Sequence, residues 1–290
     1  MNTTYISLIS KQLSLPAQRV KNTVSLLDEG ATIPFIARYR KEATGSLDEV
    51  QIADIQQELK RLKEIDKRRE TILSTIEEQG KLTPELRKRI ESSWNLTELE
   101  DIYLPYKPKR KTRASKARDL GLEPLAKAVF AQNNPDTEGL AGRFLSDEVP
   151  TTEAALQGAR DIIAEWVSEH ETARNRVRKA FRLDARITSK VARNKEEEGA
   201  KYRDYFEFSE PLKRCPSHRF LAIMRGESEG FLRVSIAPDE EKTLDLLFDL
   251  FLKGNNAATA QVAEAVRDSY KRLLASSIET EFRNAAKEKA

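Results

Sequence analysis

The segment LDEVQIADIQQELKRLKEIDKRRETILSTIEEQ, residues 47–79, decides the fold class. Its apolar residues recur at intervals of three, four and seven, which is the period of one helical face. They are Val50, Ile52, Ile55, Leu59, Leu62, Ile65, Ile72 and Ile76. The pattern predicts a single helix over about 47–79, roughly 45 Å long at 1.5 Å per residue. Charges of both signs fill the other positions, as is typical of a solvated surface, so we interpret this helix as a structural spine.

Upstream of the spine, residues 14–41 predict a helix-turn-helix-like unit. Pro16 marks the start of a first helix and Gly30 its end. A second, short helix follows, and we expect its apolar run, residues 33–36, to fill the core. This shape is used on DNA, and it is also common as plain packing.

The densest basic run is KPKRKTRASKAR, residues 107–118. It contains seven cations and no acid: Lys107, Lys109, Arg110, Lys111, Arg113, Lys116 and Arg118. One interpretation is a solvated loop. The other is contact with nucleic-acid phosphates, with Tyr103 and Tyr106 offering faces on which bases stack.

A second basic feature lies in the helical pattern that continues from about residue 152. Arg174, Arg178, Arg182 and Arg186 are spaced four apart, which predicts that they share one helical face. Four like charges repel each other unless an anion faces them. A nucleic-acid backbone or an acidic helix would satisfy this row equally well.

Residues 191–290 differ from the preceding segment in their pattern of apolar and aromatic residues. Four aromatic residues fall within 202–208, and two apolar segments around a Gly226–Gly230 turn predict a β-hairpin over about 218–237. Two strands alone are not stable, so this hairpin must lean on helices. The last helix has no stop signal, and we therefore expect further protein after Ala290. The fold class is mainly α, a multi-helical chain with one long spine helix and a small β-hairpin.

Composition limits the chemistry. The chain has 50 Lys and Arg against 47 Asp and Glu, so any affinity for phosphates must come from local clusters. Cys215 is the single cysteine, and His170 and His218 are the two histidines, so we expect no metal and no cofactor. Nucleotide-binding and hydrolase motifs are absent, and we expect no enzymatic activity. The sequence also lacks a signal peptide and an apolar stretch long enough to cross a membrane, which predicts a cytoplasmic location.

The chain resembles the N-terminal part of the Tex-like family of bacterial transcription accessory proteins. Three blocks carry the resemblance: LLDEGATIPFIARYRKEATGSLDE (26–49), LTELEDIYLPYKPKRKTRASKARDLGLEPLA (96–126) and HRFLAIMRGESEGFLRVSI (218–236). The first block contains signature residues that we interpret as mainly structural: Gly30, Pro34, Phe35, Arg38, Tyr39, Arg40 and Lys41.

The resemblance implies a helical N-terminal domain over 1–190. It places residues 191–290 in a central scaffold, ahead of a RuvC-like (YqgF) domain and an RNA-binding OB-fold. It also implies a nucleic-acid-binding transcription factor, and no catalytic residue carries over.

Three functional hypotheses follow. The first is a non-enzymatic module that binds RNA or DNA weakly and largely independently of sequence. The second is a protein–protein interaction module, which docks other domains or the transcription machinery through the long helix and exposed aromatics at 202–208. The third is a metal-dependent nuclease.

Overall fold

The computed structural model describes residues 2–109 and 111–290. The chain is mainly helical and forms two compact units, unit 1 ending at Lys107 and unit 2 beginning at Pro108. The multi-helical fold class is therefore confirmed. The division near residue 190 that we drew from the family resemblance concerns the family's domains, and it stays a prediction.

Unit 1 is all-helical in its described residues. Its helices are α1 Thr3–Leu13, α2 Ala17–Asp28, α3 Ile33–Tyr39, α4 Lys41–Thr44, α5 Glu49–Glu78, α6 Pro84–Ser92 and α7 Leu96–Tyr103. A 3-10 turn, Leu104–Tyr106, follows α7.

Helix α5 confirms the predicted spine. Asp48 caps it, accepting a hydrogen bond from the Gln51 backbone N–H while the Gln51 side chain accepts one from the Asp48 N–H. The first half of α5 packs against α1, α2 and α3, and the second half against α6 and α7. Its buried residues are Ile52, Ile55, Leu59, Leu62, Ile65, Ile72 and Ile76. Burying each of them contributes about 1.5–3 kcal/mol. Val50, which shares the periodicity, is 68% exposed and lies outside the core.

Unit 2 combines nine α-helices, several short 3-10 turns and three strands in its described residues. They are α8 Arg113–Asp119, α9 Glu123–Ala131, α10 Thr137–Ala141, α11 Thr152–Glu169, α12 Glu171–Asp184, β1 Arg186–Val191, β2 Glu207–Pro211, α13 Ser217–Ser228, β3 Leu232–Ala237, α14 Glu240–Phe251, α15 Ala257–Ser269 and α16 Ala275–Lys289.

The sheet has the order β2-β1-β3, and both strand pairs are antiparallel. The predicted hairpin over 218–237 is wrong, because its first half is helix α13. Phe220 and Ile223 are buried three residues apart, which is the spacing of one helical face. Only the second half is a strand, and β3 pairs with β1, in which Ile187 lies opposite Ile236.

Helix α11 runs through the middle of the unit 2 core and packs against α8, α9 and α15. His170 lies between α11 and α12, with its ring edge-on to Phe251 at a centroid distance of 5.3 Å. A π-helical turn, Tyr270–Leu274, joins α15 to α16 without a break in the helix. No helix among the described residues is both long and apolar enough to span a bilayer.

Candidate nucleic-acid interface

The structure divides the basic run between the two units. Lys107 is exposed at the end of unit 1, after the 3-10 turn, and Arg110 lies outside the described residues. The rest of the run belongs to unit 2. There Thr112 caps α8: its hydroxyl accepts from the Ser115 N–H, and the Ser115 hydroxyl accepts from the Thr112 N–H. The described part of the run in unit 2 thus consists of helix α8 and the segment that leads into it.

Two cations of the run are paired with carboxylates of α11. Glu165 lies 2.9 Å from Lys109 Nζ and 2.7 Å from Arg118 Nη1, and Glu169 also contacts Lys109 Nζ. Burial alone would raise the pKa of Glu165, but hydrogen bonds from the two cations bring that pKa below its usual range. Burial raises the pKa of Glu169 despite Lys109. These two cations therefore anchor the run to the fold.

In unit 2, three cations of the run remain available, and we call Lys111, Arg113 and Lys116 the α8 cations. All three are exposed, Lys111 just before α8 and the other two on it, whereas Ala114 and Ala117 of α8 are buried. Among the described residues, none of the three has a carboxylate within ion-pair distance. Asp161 is close enough for the charge of Arg113 to oppose the rise in its pKa that burial causes. Small residues thus face the core while the long cations face solvent.

The tyrosines that precede the run offer little stacking surface. Tyr103 is buried, and the Arg68 guanidinium lies 5.1 Å from its ring centroid. Arg68 in turn makes a two-pronged salt bridge to Glu100, at 2.5 and 3.0 Å. Tyr106 is half-buried. A stacking role for Tyr103 is therefore wrong, because Arg68 already covers its ring.

Only three of the four arginines predicted to share a helical face lie on one helix. Arg174 and Arg178 lie on α12, buried, and both contact Glu281 of α16, at 2.9 and 2.7 Å. Arg182 is exposed on the same helix. Arg186 is not helical, because α12 ends at Asp184; it lies on β1 and donates to the Ser209 hydroxyl at 2.9 Å. A single glutamate of α16, Glu281, is thus a carboxylate partner of both buried members.

The signature residues 33–41 contain a feature that the sequence reasoning missed. Ile36 and Ala37 are buried on the α5 side, as expected, but Phe35 is 40% exposed and Tyr39 69% exposed. The expectation that the whole run 33–36 fills the core is therefore wrong for Pro34 and Phe35, which are exposed, and holds in part for Ile33, which is half-buried. Gly30 makes the preceding turn with φ +87°, and Pro34 lies in the first turn of α3. The spacing of four between the two aromatics was the available signal.

The cations of the signature are also exposed. Arg38 lies 3.9 Å from Glu49, an ion pair whose members are both more than half exposed. Arg40 and Lys41 contact no carboxylate within 4 Å among the described residues. We call Phe35, Arg38, Tyr39, Arg40 and Lys41 the α3 patch.

The aromatics at 202–208 are not a free surface. Tyr202 is buried, and Tyr205, Phe206 and Phe208 are half-buried against the unit 2 core. The expectation that these aromatics are exposed is therefore wrong, and of the two features behind the interaction-module hypothesis only the long helix remains. Over residues 2–109 and 111–290, no three His, Cys, Asp or Glu side chains are grouped to hold a metal ion.

Two family models match the chain. One, described as the Tex-like protein N-terminal domain, matches residues 3–77, and the other, described as Tex central region-like, matches residues 132–290. The second match alone covers more than half of the chain.

Curated proteins show the same relationship. The transcriptional accessory protein Tex of Neisseria gonorrhoeae is 44% identical over 242 residues, which cover 83% of this chain and 32% of the relative. The protein YdcI of Bacillus subtilis is 39% identical over 287 residues, 97% of this chain and 40% of the relative. The human S1 RNA-binding domain-containing protein 1 is 28% identical over 254 residues, 81% of this chain and 24% of the relative.

The chain thus spans between a quarter and two-fifths of the length of these relatives. The resemblance read from residues 26–49, 96–126 and 218–236 is confirmed by both models and by the relatives. This chain belongs to the Tex family.

Proposed function

We propose that this chain is a non-enzymatic, nucleic-acid-binding part of a transcription accessory factor. It contacts the phosphates of RNA or DNA weakly and largely independently of sequence. The observation that carries the proposal is the exposure of the α8 cations. The buried residues of α8 are two alanines, so its long cationic side chains are left in solvent. Relatives named as a transcriptional accessory protein and as an S1 RNA-binding domain-containing protein support a nucleic-acid-related role.

The physical basis is electrostatic. Cations that neutralise phosphates release condensed counterions, so the observed affinity falls with salt in proportion to the number of contacts. We leave Lys109 and Arg118 out of the proposed interface because both are already paired with Glu165, and each has a second carboxylate partner, Glu169 or Glu123. Arg174 and Arg178 are not part of the proposed interface because both are buried against Glu281. The interface is therefore smaller than the sequence suggested.

The test is fluorescence anisotropy with single- and double-stranded RNA and DNA oligonucleotides over a series of salt concentrations. Replacing the three α8 cations with alanine is expected to reduce the slope of log K against log salt by about 2 to 3.

The matched control replaces three other unit 2 lysines, Lys127, Lys195 and Lys271, each of which is paired with a glutamate. It changes net charge equally and is expected to leave the slope nearly unchanged. If the wild-type chain showed no salt-dependent binding at low ionic strength, the proposal would be abandoned.

The non-enzymatic part of the proposal has its own test. Labelled RNA and DNA incubated with pure protein and Mg²⁺ or Mn²⁺ are expected to stay intact. Metal-dependent cleavage that co-purifies with the protein would contradict it.

A further inference from the structure

The α3 patch differs from the α8 cations because it joins cations to exposed aromatic rings. Phe35 and Tyr39 are four residues apart and lie on the same side of α3. Ile36 and Ala37 face the unit 1 core, and both aromatic residues are turned outward from it. Exposing two neighbouring rings is unfavourable in water, so a ligand that covered them would gain apolar contact.

The two rings contact each other at a tilt. Their centroids are 5.4 Å apart with an interplanar angle of 42°, and the Arg40 guanidinium carbon lies 5.4 Å from the Phe35 centroid. Arg40 thus covers part of Phe35 and leaves Tyr39 as the outer face. A flat ring beside a guanidinium is the arrangement on which nucleic-acid bases stack.

The charges around these rings favour an anion. A concavity beside Tyr39 is lined by Arg38, Tyr39, Arg40, Lys41, Glu42 and Ala43. That lining contains one carboxylate, Glu42, against three cations, and Glu49 is engaged with Arg38 in an exposed, weak pair. Arg40 and Lys41 are therefore free to meet phosphates.

We infer that the α3 patch binds single-stranded nucleic acid. A base stacks on Tyr39, with Phe35 behind it, and Arg40 and Lys41 contact the adjoining phosphates. This inference rests on the proposed function and adds to it a base-contacting site on the other unit of the chain. The ligand is single-stranded because a duplex hides the faces of its bases within its own stack.

The geometry does not favour the other occupants of such a surface. Helix α3 has seven residues and spans about 10 Å, which is short for a helix that reads a DNA groove. A docked protein helix would need an apolar groove, whereas charged side chains line the concavity beside Tyr39.

The test compares two oligonucleotides of equal length, one of deoxythymidines and one with abasic sites in place of most bases. Both carry the same phosphates, so only base contact distinguishes them. Wild-type protein is expected to bind the base-containing strand about five- to tenfold more tightly. The Tyr39→Ala variant is expected to lose this difference, while Tyr39→Phe keeps it because the ring remains.

Controls separate stacking from folding. Tyr39 is largely exposed, so Tyr39→Ala is expected to keep the wild-type melting temperature. Leu96→Ala removes another exposed apolar side chain of unit 1, 47% exposed, and is expected to leave discrimination intact. The α8 alanine variant is expected to weaken both strands equally.

Three results would overturn the inference. In the first, Tyr39→Ala discriminates between the strands as the wild type does. In the second, the wild type binds both strands equally in a salt-dependent manner, which removes the base contact but leaves the proposed function standing. In the third, poly-glutamate is added as a competitor that mimics an acidic protein surface. If it displaced the base-containing strand from the wild type but not from Tyr39→Ala, the patch would be assigned to acidic protein surfaces instead of bases. Absence of binding to either strand would instead remove the proposed function together with this inference.

Discussion

At the scale of single residues, Glu165 determines which cations of the basic run can meet a ligand. Its carboxylate lies in the unit 2 core beside Lys109 and Arg118, which are each 29% exposed. A buried carboxylate between two cations is stabilising only while all three keep their partners. Glu165 thus draws the ends of the run to the fold, and the α8 cations between those ends are left in solvent.

Replacing Glu165 with glutamine is expected to destabilise the folded state by about 1–3 kcal/mol at pH 7, because two partly buried cations lose their shared anion. Urea unfolding monitored by circular dichroism measures this. Glu123→Gln, which removes the outer partner of Arg118 at 3.7 Å, is the matched control and is expected to cost little.

The effect of Glu165 also has a defined pH dependence. Its pKa is lower in the folded protein than its ordinary value of 4.5, so the folded state binds fewer protons there. The stabilisation is present above that ordinary value and is lost as the pH falls through the lowered pKa. The difference between wild type and Glu165→Gln is therefore expected to shrink below pH 4.5. A difference that grew on acidification would contradict this assignment.

Some residue roles could be predicted from the sequence, and others could not. Ile36 and the α5 isoleucines followed from a local apolar period. The exposure of Phe35 did not, because a seven-residue helix has room for apolar residues on both of its sides. The pairing of Lys109 with Glu165 did not either, since it joins residues 56 positions apart that no local pattern relates.

At the scale of elements, helix α5 could be predicted from the sequence and the strand pairing of the sheet could not. The bounds of α5 followed from its own residues, including the Asp48 cap. Strand β3 was expected to pair with the segment before it, but it pairs with β1, some 45 residues upstream, and that earlier segment is helix α13. Pairing between distant strands is determined by the packing of the whole unit, so it cannot be predicted from a short stretch of sequence.

The contact between α12 and α16 gives the second prediction. Glu281→Gln is expected to destabilise the protein by about 2–4 kcal/mol, because the carboxylate joins two buried guanidinium groups to the last helix. Thermal and urea unfolding measure the change.

Arg182→Ala is the matched comparison on α12, since that side chain is exposed, and it is expected to change stability by less than about 0.5 kcal/mol. Equal effects of the two substitutions would show that Glu281 does not hold the helices together.

At the scale of the molecule, each unit has its own buried clusters. Unit 1 has two that share α5, and unit 2 has one that extends from Ala114 to Ile278. A core defect in one unit should therefore loosen that unit first.

Ile72→Ala is the test of this independence. The lost side chain leaves a cavity in unit 1 and is expected to cost about 2–5 kcal/mol of its stability. Hydrogen exchange read by mass spectrometry is expected to accelerate in α5, α6 and α7 while α11 and α15 stay protected.

Val50→Ala, on the same helix but exposed, is expected to leave exchange unchanged. Faster exchange throughout the chain in Ile72→Ala would show that the two units unfold together.

The π turn between α15 and α16 has a consequence for how this molecule tolerates changes in length. Each residue of an α-helix rotates the next side chain by about 100°, and a π turn holds one residue more than an α turn. The turn at Tyr270–Leu274 thus sets the angular phase at which α15 buries Val262 and Val266 while α16 presents Glu281 to α12. Deleting one residue there would convert the π turn into an α turn and leave Glu281 facing Arg174 and Arg178, whereas deleting one residue between Ala275 and Glu281 would swing Glu281 by about 100°. The turn is therefore the position in this long helix at which the loss of one residue is best tolerated.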